Sequence, residues 1–237
     1  QLHRAMNESS APLPITATIA VIGAGAMGAG IAQIAAVAGH PVLLHDLRPG
    51  AAAAAITGIR AQIAKLAAKG KLDAEAAVAA AAALQLAESL EALRDAKLVV
   101  EAIVENLDAK RALFTQLEAL LGEDAILASN TSSISITAIG AALTRPERLV
   151  GMHFFNPAPL MALVEVIAGL ATTQAVADTV FATSLAWGKT PVHARSTPGF
   201  IVNRVARPFY AEGLRLLQEG VADVATLDAV IRESGGF

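Results

Sequence analysis

The chain has 237 residues, 54% of them hydrophobic, with a net charge of −3 and no cysteine. That much apolar sequence can bury a sizeable core, so disorder is not the default. The lack of cysteine excludes disulfides and thiolate metal sites, and scattered basic residues give no nucleic-acid footprint.

Gln1 to Pro14 reads as a mobile leader with no signal-peptide core, and Met6 can serve as a start. Ile19-Ala20-Val21-Ile22 suits a strand buried on both faces. Gly23, Gly25 and Gly28 follow at G-x-G-x-x-G spacing, then an apolar helix from Ala29 to Ala38 stopped by Gly39. Here Gly23 allows a tight turn, Gly25 lets backbone approach a pyrophosphate, and Gly28 lets helix pack on strand. The free N–H groups of this turn, through Ala26 and Met27, point at the phosphate. A second strand, Pro41 to Asp46, ends in an acid 23 residues beyond Gly23. That is near the ~20 expected for a carboxylate that holds ribose hydroxyls and disfavours a 2′-phosphate. The stretch is too rich in glycine, and too clearly strand-then-helix, for a membrane span.

Helices are expected at Ala51–Lys69, with Ile56, Ile59, Ile63 and Leu66 on one face, and after Asp73 to Ala83. Strands are expected at Leu84–Leu86, Lys97–Val104, Ala125–Ser129, Leu149–Phe155, Leu163–Ala168 and Thr190–His193. Helices are expected at Leu107–Leu121, Ile134–Ala142 and Thr173–Trp187. Alternation of strand and helix predicts a doubly wound, mainly parallel α/β sheet. Thr197-Pro198-Gly199 marks a hinge, followed by an amphipathic helix at Phe200–Glu219, containing Pro208, and one more at Asp223–Glu233. The apolar face of the long helix, with Val202, Val205, Phe209 and Leu216, cannot be buried alone, and is expected to pack on a partner chain or to belong to a fragment of a longer protein.

In such a sheet, ligands gather at the carboxyl ends of the strands. Ser132 stands in a polar run after one strand, where a hydroxyl can meet substrate or cofactor, although Thr131 or Ser133 serves equally as a helix N-cap. His153 and Glu165 each interrupt an apolar strand. Two buried polar groups on neighbouring strands are most simply explained by each other, the acid fixing the imidazole as a general base. Packing alone also explains the pair, and a core histidine with satisfied nitrogens is common. Glu101, also in an apolar strand, reads as structural, and Asn203 as solvated.

The segments VIGAGAMGAGIAQ, VVEAIVEN, ASNTSSISIT, GMHFFNPAPLMALVEVI and TPGFIVNR, in this order, resemble the L-3-hydroxyacyl-CoA dehydrogenase family. The resemblance implies a Rossmann-type NAD domain followed by an all-helical domain that dimerises, and oxidation of (3S)-3-hydroxyacyl-CoA to 3-oxoacyl-CoA. It implies His153 as catalytic base, Glu165 as its partner, Ser132 at the substrate hydroxyl and Asn203 at the carbonyl. It places Asp46 at the ribose, Glu105, Lys110 and Asn156 near NAD, and Lys69 at CoA. The segment RPFYAEGLRLLQEG is similar to the branch that acts on 3-hydroxyadipyl-CoA in phenylacetate breakdown. The organisation expected is a leader at 1–14, an NAD-binding domain at 15–196, and the first part of the helical domain at 197–237, in a cytoplasmic enzyme. A sugar-acid dehydrogenase on the same scaffold and a non-catalytic NAD-binding protein are the alternatives.

Overall fold

The computed structural model describes residues 11–236. The first ten residues of the expected leader lie outside them. Leu13 is tied down, its amide donating to Thr183 Oγ1 at 3.0 Å. The chain divides into two units between Thr197 and Pro198.

The first unit begins with β1 (Ile19–Ile22), α1 (Ala26–Val37), β2 (Val42–His45), α2 (Ala51–Ala68), α3 (Ala74–Ala83) and β3 (Leu84–Leu86). It continues with β4 (Leu98–Glu101), α4 (Leu107–Leu120), β5 (Ile126–Ser129), α5 (Ile136–Gly140), β6 (Leu149–Phe154), β7 (Leu163–Ala168), α6 (Gln174–Ala186) and β8 (Thr190–Arg195). The eight strands form one sheet in the order β3-β2-β1-β4-β5-β6-β7-β8. All described pairs are parallel except β6 with β7. Strand order reverses between β1 and β4, which opens the crevice where such sheets take their ligands.

Each strand face has its own core. Val21, Leu44, Val100, Ala128, Met152 and Val166 join one cluster with residues of α1, α2, α3 and α6. The intervening residues Ala20, Val99, Leu127 and Ile167 are fully buried on the other face, where α4 and α5 contribute Phe114, Leu117, Ile136 and Ile139. Period-two alternation therefore puts Glu101, Ser129 and His153 on the α4 and α5 face.

Several boundaries differ from the sequence expectation. α1 starts three residues before Ala29, because the glycine turn is itself the first helical turn. α5 spans only Ile136–Gly140, and its cap is Ser135, which accepts from the Ala138 amide, rather than Thr131 or Ser133. Thr131 Oγ1 still accepts from the Ile134 amide at 2.8 Å ahead of the helix, while the Ser133 hydroxyl bonds elsewhere. The strand expected to reach Val104 stops at Glu101. Past it, the Ala102 carbonyl crowds the Cβ position of Gly23, whose φ is +100°.

The second unit holds α7 (Val202–Gln218), which runs through Pro208, and α8 (Val224–Ala229), followed by one π turn, Val230–Ser234. α7 buries no residue, and Val205, Tyr210 and Leu214 are exposed along it. No helix among the described residues is long and apolar enough to cross a membrane.

Candidate functional site

The glycine turn is built by exclusion. A Cβ at Gly28 would collide with the Gly23 carbonyl, so that position takes glycine for close packing. A Cβ at Gly25 would meet nothing within 4 Å. Gly25 thus borders open space, at the N-terminus of a helix with no side-chain cap and no acid in its first turn. Backbone amides of Ala26 and Met27 at such an end carry partial positive charge. This cradle fits the pyrophosphate of a dinucleotide.

At the end of β2, Asp46 Oδ2 accepts from the Ala24 amide at 2.7 Å, which ties the acid to the glycine turn. Arg48 reaches back to it, with Nε 3.0 Å from Oδ1 and a terminal nitrogen 2.9 Å from Oδ2. The Arg48 hydrogen bonds hold the Asp46 carboxyl well below the usual carboxylate range, against the opposing effect of burial, with help from the two backbone amides. Arg48 itself is 69% exposed in its side chain.

The second cluster joins α4 to the turn after β5. Asn106 caps α4 by accepting from the Ala109 amide. Lys110, Phe114 and Leu117 then lie on its buried face. The Lys110 ammonium, wholly buried, lies 2.6 Å from Glu101 Oε1 and 3.4 Å from Glu105 Oε2. Glu105 Oε1 accepts from Thr131 Oγ1 at 2.6 Å, from the amides of Ser132 and Ser133 at 3.0 and 3.1 Å, and from Ser133 Oγ at 3.1 Å. Burial pushes the Glu105 carboxyl up. The Thr131 hydroxyl, the Lys110 charge, the Ser132 amide and the Ser133 hydroxyl outweigh it and hold the group below its ordinary value.

His153 and Glu165 are direct cross-strand partners in the antiparallel β6–β7 pair, so their side chains share a face. Nδ1 of His153 is 2.7 Å from Glu165 Oε2, and both side chains are buried. A carboxylate at this distance accepts the Nδ1 proton and fixes the tautomer with its lone pair on Nε2. The imidazole also packs at 4.6 Å on Phe155. Two residues along β6 from Gly151, the partner of Ser129, His153 sits at the strand end that also carries Glu101 and Asn130. Asn130 Oδ1 accepts from the Phe154 amide, tying the turn after β5 to the strand that carries His153.

The remaining sequence candidates stand on other elements. Asn156 is exposed just past β6, before Pro157. Lys69 is exposed at the C-cap of α2. Asn203 belongs to the second unit, in the first turn of α7. Sequence reasoning missed Thr131, Ser133 and Asn130 as organisers of the turn, and Arg48 on Asp46. It also gave Glu101 no partner, although the apolar spacing of Lys110, Phe114 and Leu117 marks that lysine as inward. Among the described residues no three His, Asp or Glu side chains are grouped to hold a metal ion.

Comparison with known proteins agrees with this architecture. Residues 18–197 match the family model described as 3-hydroxyacyl-CoA dehydrogenase, NAD binding domain, and residues 199–237 match 3-hydroxyacyl-CoA dehydrogenase, C-terminal domain. The 3-hydroxyadipyl-CoA dehydrogenase of Escherichia coli is 50% identical over 220 residues, 93% of this chain and 46% of that protein. A probable 3-hydroxybutyryl-CoA dehydrogenase of Bacillus subtilis is 44% identical, over 90% of this chain and 75% of its own length. The crystal structure of (S)-3-hydroxybutyryl-CoA dehydrogenase from Ralstonia eutropha superposes with a TM-score of 0.89 at 38% identity, covering 94% of this chain and 78% of that one. The chain thus spans under half the length of the E. coli relative and about three quarters of the other two.

Proposed function

The chain belongs to the 3-hydroxyacyl-CoA dehydrogenase family, and on that premise we propose that its protein oxidises (3S)-3-hydroxyacyl-CoA thioesters to 3-oxoacyl-CoA with NAD+. The observation that carries the reading is the His153–Glu165 pair, 2.7 Å apart at the end of the sheet where the glycine turn also lies. Bound NAD+ supplies the hydride acceptor. His153 Nε2 takes the proton of the C3 hydroxyl, while Glu165 keeps the imidazole in the required tautomer and offsets the positive charge that develops. Ser132, on the turn that hangs from Glu105, orients the hydroxyl. Asn203 serves the thioester carbonyl and Lys69 the CoA. Gly23, Gly25, Ala26, Met27 and Gly28 hold the pyrophosphate, Asp46 the adenosine ribose, and Glu105 and Asn156 serve the NAD near them, with the wholly buried Lys110 acting through Glu105.

The names of the relatives favour short acyl groups, with a four-carbon or an adipyl chain. The exposed apolar residues of α7 support a homodimer formed through the helical region. The test follows NADH consumption with 3-oxoacyl-CoAs of increasing length, with a free sugar acid as control. Turnover of the short thioesters alone is expected. NADH binding with no thioester consumed would instead leave a cofactor-binding protein.

A further inference from the structure

Glu101 lies in the sheet interior with no exposed side-chain surface. Its Oε1 accepts from the Lys110 ammonium at 2.6 Å and from the Ile103 amide at 2.7 Å, and its Oε2 from Ser129 Oγ at 2.7 Å. Three donors fix one carboxylate between β4, α4 and β5. The same ammonium stands 3.4 Å from Glu105, whose other oxygen holds the turn at 131–133. Two carboxylates thus share one cation, and the cation sits nearer the deeper one.

That asymmetry has a consequence. A buried ion pair kept for stability alone gains little over apolar packing. Here the pair has an outlet at the surface. While Glu101 draws the ammonium inward, Glu105 Oε1 stays committed to the Thr131, Ser132 and Ser133 donors. Without the Glu101 charge, the ammonium is drawn wholly to Glu105, where it competes with those donors and loosens the turn. We propose that Glu101 is a positioning residue: acting through Lys110 and Glu105, it sets the 131–133 turn that faces nucleotide and substrate. The inference rests on the nucleotide-binding part of the function proposed above, and needs no thioester turnover.

The test is a double-mutant cycle on NADH affinity, followed by nucleotide fluorescence in Glu101→Gln, Glu105→Gln and the double variant, with Tm measured on each. Glu101→Gln should weaken NADH binding about tenfold, and in the Glu105→Gln background the further loss should be under about twofold. A purely structural role lowers Tm but leaves the two losses in NADH affinity independent. Losses that multiply, or a Glu101→Gln protein that binds NADH within twofold of the unaltered chain, overturn the proposal. If Glu101→Gln fails to fold, Ser129→Ala removes a single donor from the same carboxylate. It should weaken NADH about threefold alone and not at all beside Glu105→Gln. An equal loss in both backgrounds overturns it. Because the readout is NADH binding, a protein inert towards every acyl-CoA would sink the catalytic reading and leave this one standing.

Discussion

Replacing Glu165 with Gln keeps its shape and removes its charge. The carboxylate is buried, and its oxygen lies 2.7 Å from His153 Nδ1. Proton uptake by His153 creates a cation beside it in the transition state. At a charge separation of about 4 Å and an effective dielectric of about 20, that cation gains roughly 4 kcal/mol from the carboxylate. At 1.36 kcal/mol per decade this corresponds to about a 10³-fold loss in kcat. A Gln amide that presents its nitrogen also selects the wrong tautomer, which adds to the loss. NADH affinity should stay within about twofold, since the group is proposed to act on the proton and not on the nucleotide. The assay is NADH oxidation by acetoacetyl-CoA, with NADH binding measured separately. A variant that keeps kcat within threefold would refute the assignment, as would one that loses NADH affinity in parallel with kcat.

Three further outcomes follow from the geometry. Gly25→Ala should keep Tm, because the new methyl meets nothing within 4 Å, yet weaken NADH binding by filling the cradle, whereas Gly28→Ala should lower Tm through the clash with Gly23; equal Tm values for the two contradict the packing argument. Arg48→Ala removes the cation beside Asp46, so a 2′-phosphate then meets an uncompensated carboxylate, and the ratio of NADPH to NADH Kd should rise several-fold; an unchanged ratio places Arg48 away from the ribose. Glu105 has a depressed pKa, so its contribution to stability is present above the ordinary carboxylate value and is lost as pH falls through its folded value. The Tm gap between the unaltered chain and Glu105→Gln should therefore be full near neutrality and shrink below pH ~4. A gap that does not change with pH removes the ionic account.

The sheet was legible because its strands are short apolar runs set between glycine, proline and capping residues. Asp73 and Thr173 cap helices where the pattern puts starts. Boundaries drifted where polar side chains have more than one use. Thr131 and Ser133 look like caps, yet both donate to Glu105; Thr131 accepts from the Ile134 amide as well, and the cap of the helix proper is Ser135. The pairing of His153 with Glu165 could be inferred because each alone is a costly guest in an apolar strand. Glu101 posed the same question, but its answer sits nine residues on in a helix, and only the fold brings the two together. Arg48 was invisible because an exposed arginine after an acid is ordinary in a loop.

Histidine and glutamate stand opposite one another in the one antiparallel pairing found among the described strands, joined by the eight residues 155–162. That connection lies outside the ladder and is anchored elsewhere: Ala158 is buried, and the carbonyls of Ala158 and Met161 accept from Lys189 Nζ. Extra residues added to the spacer would leave the two side chains facing. One residue added inside either strand would rotate its side chain to the opposite side of the sheet. Within 149–168 the facing of the two side chains therefore rests on the two arms, while the middle answers to contacts of its own.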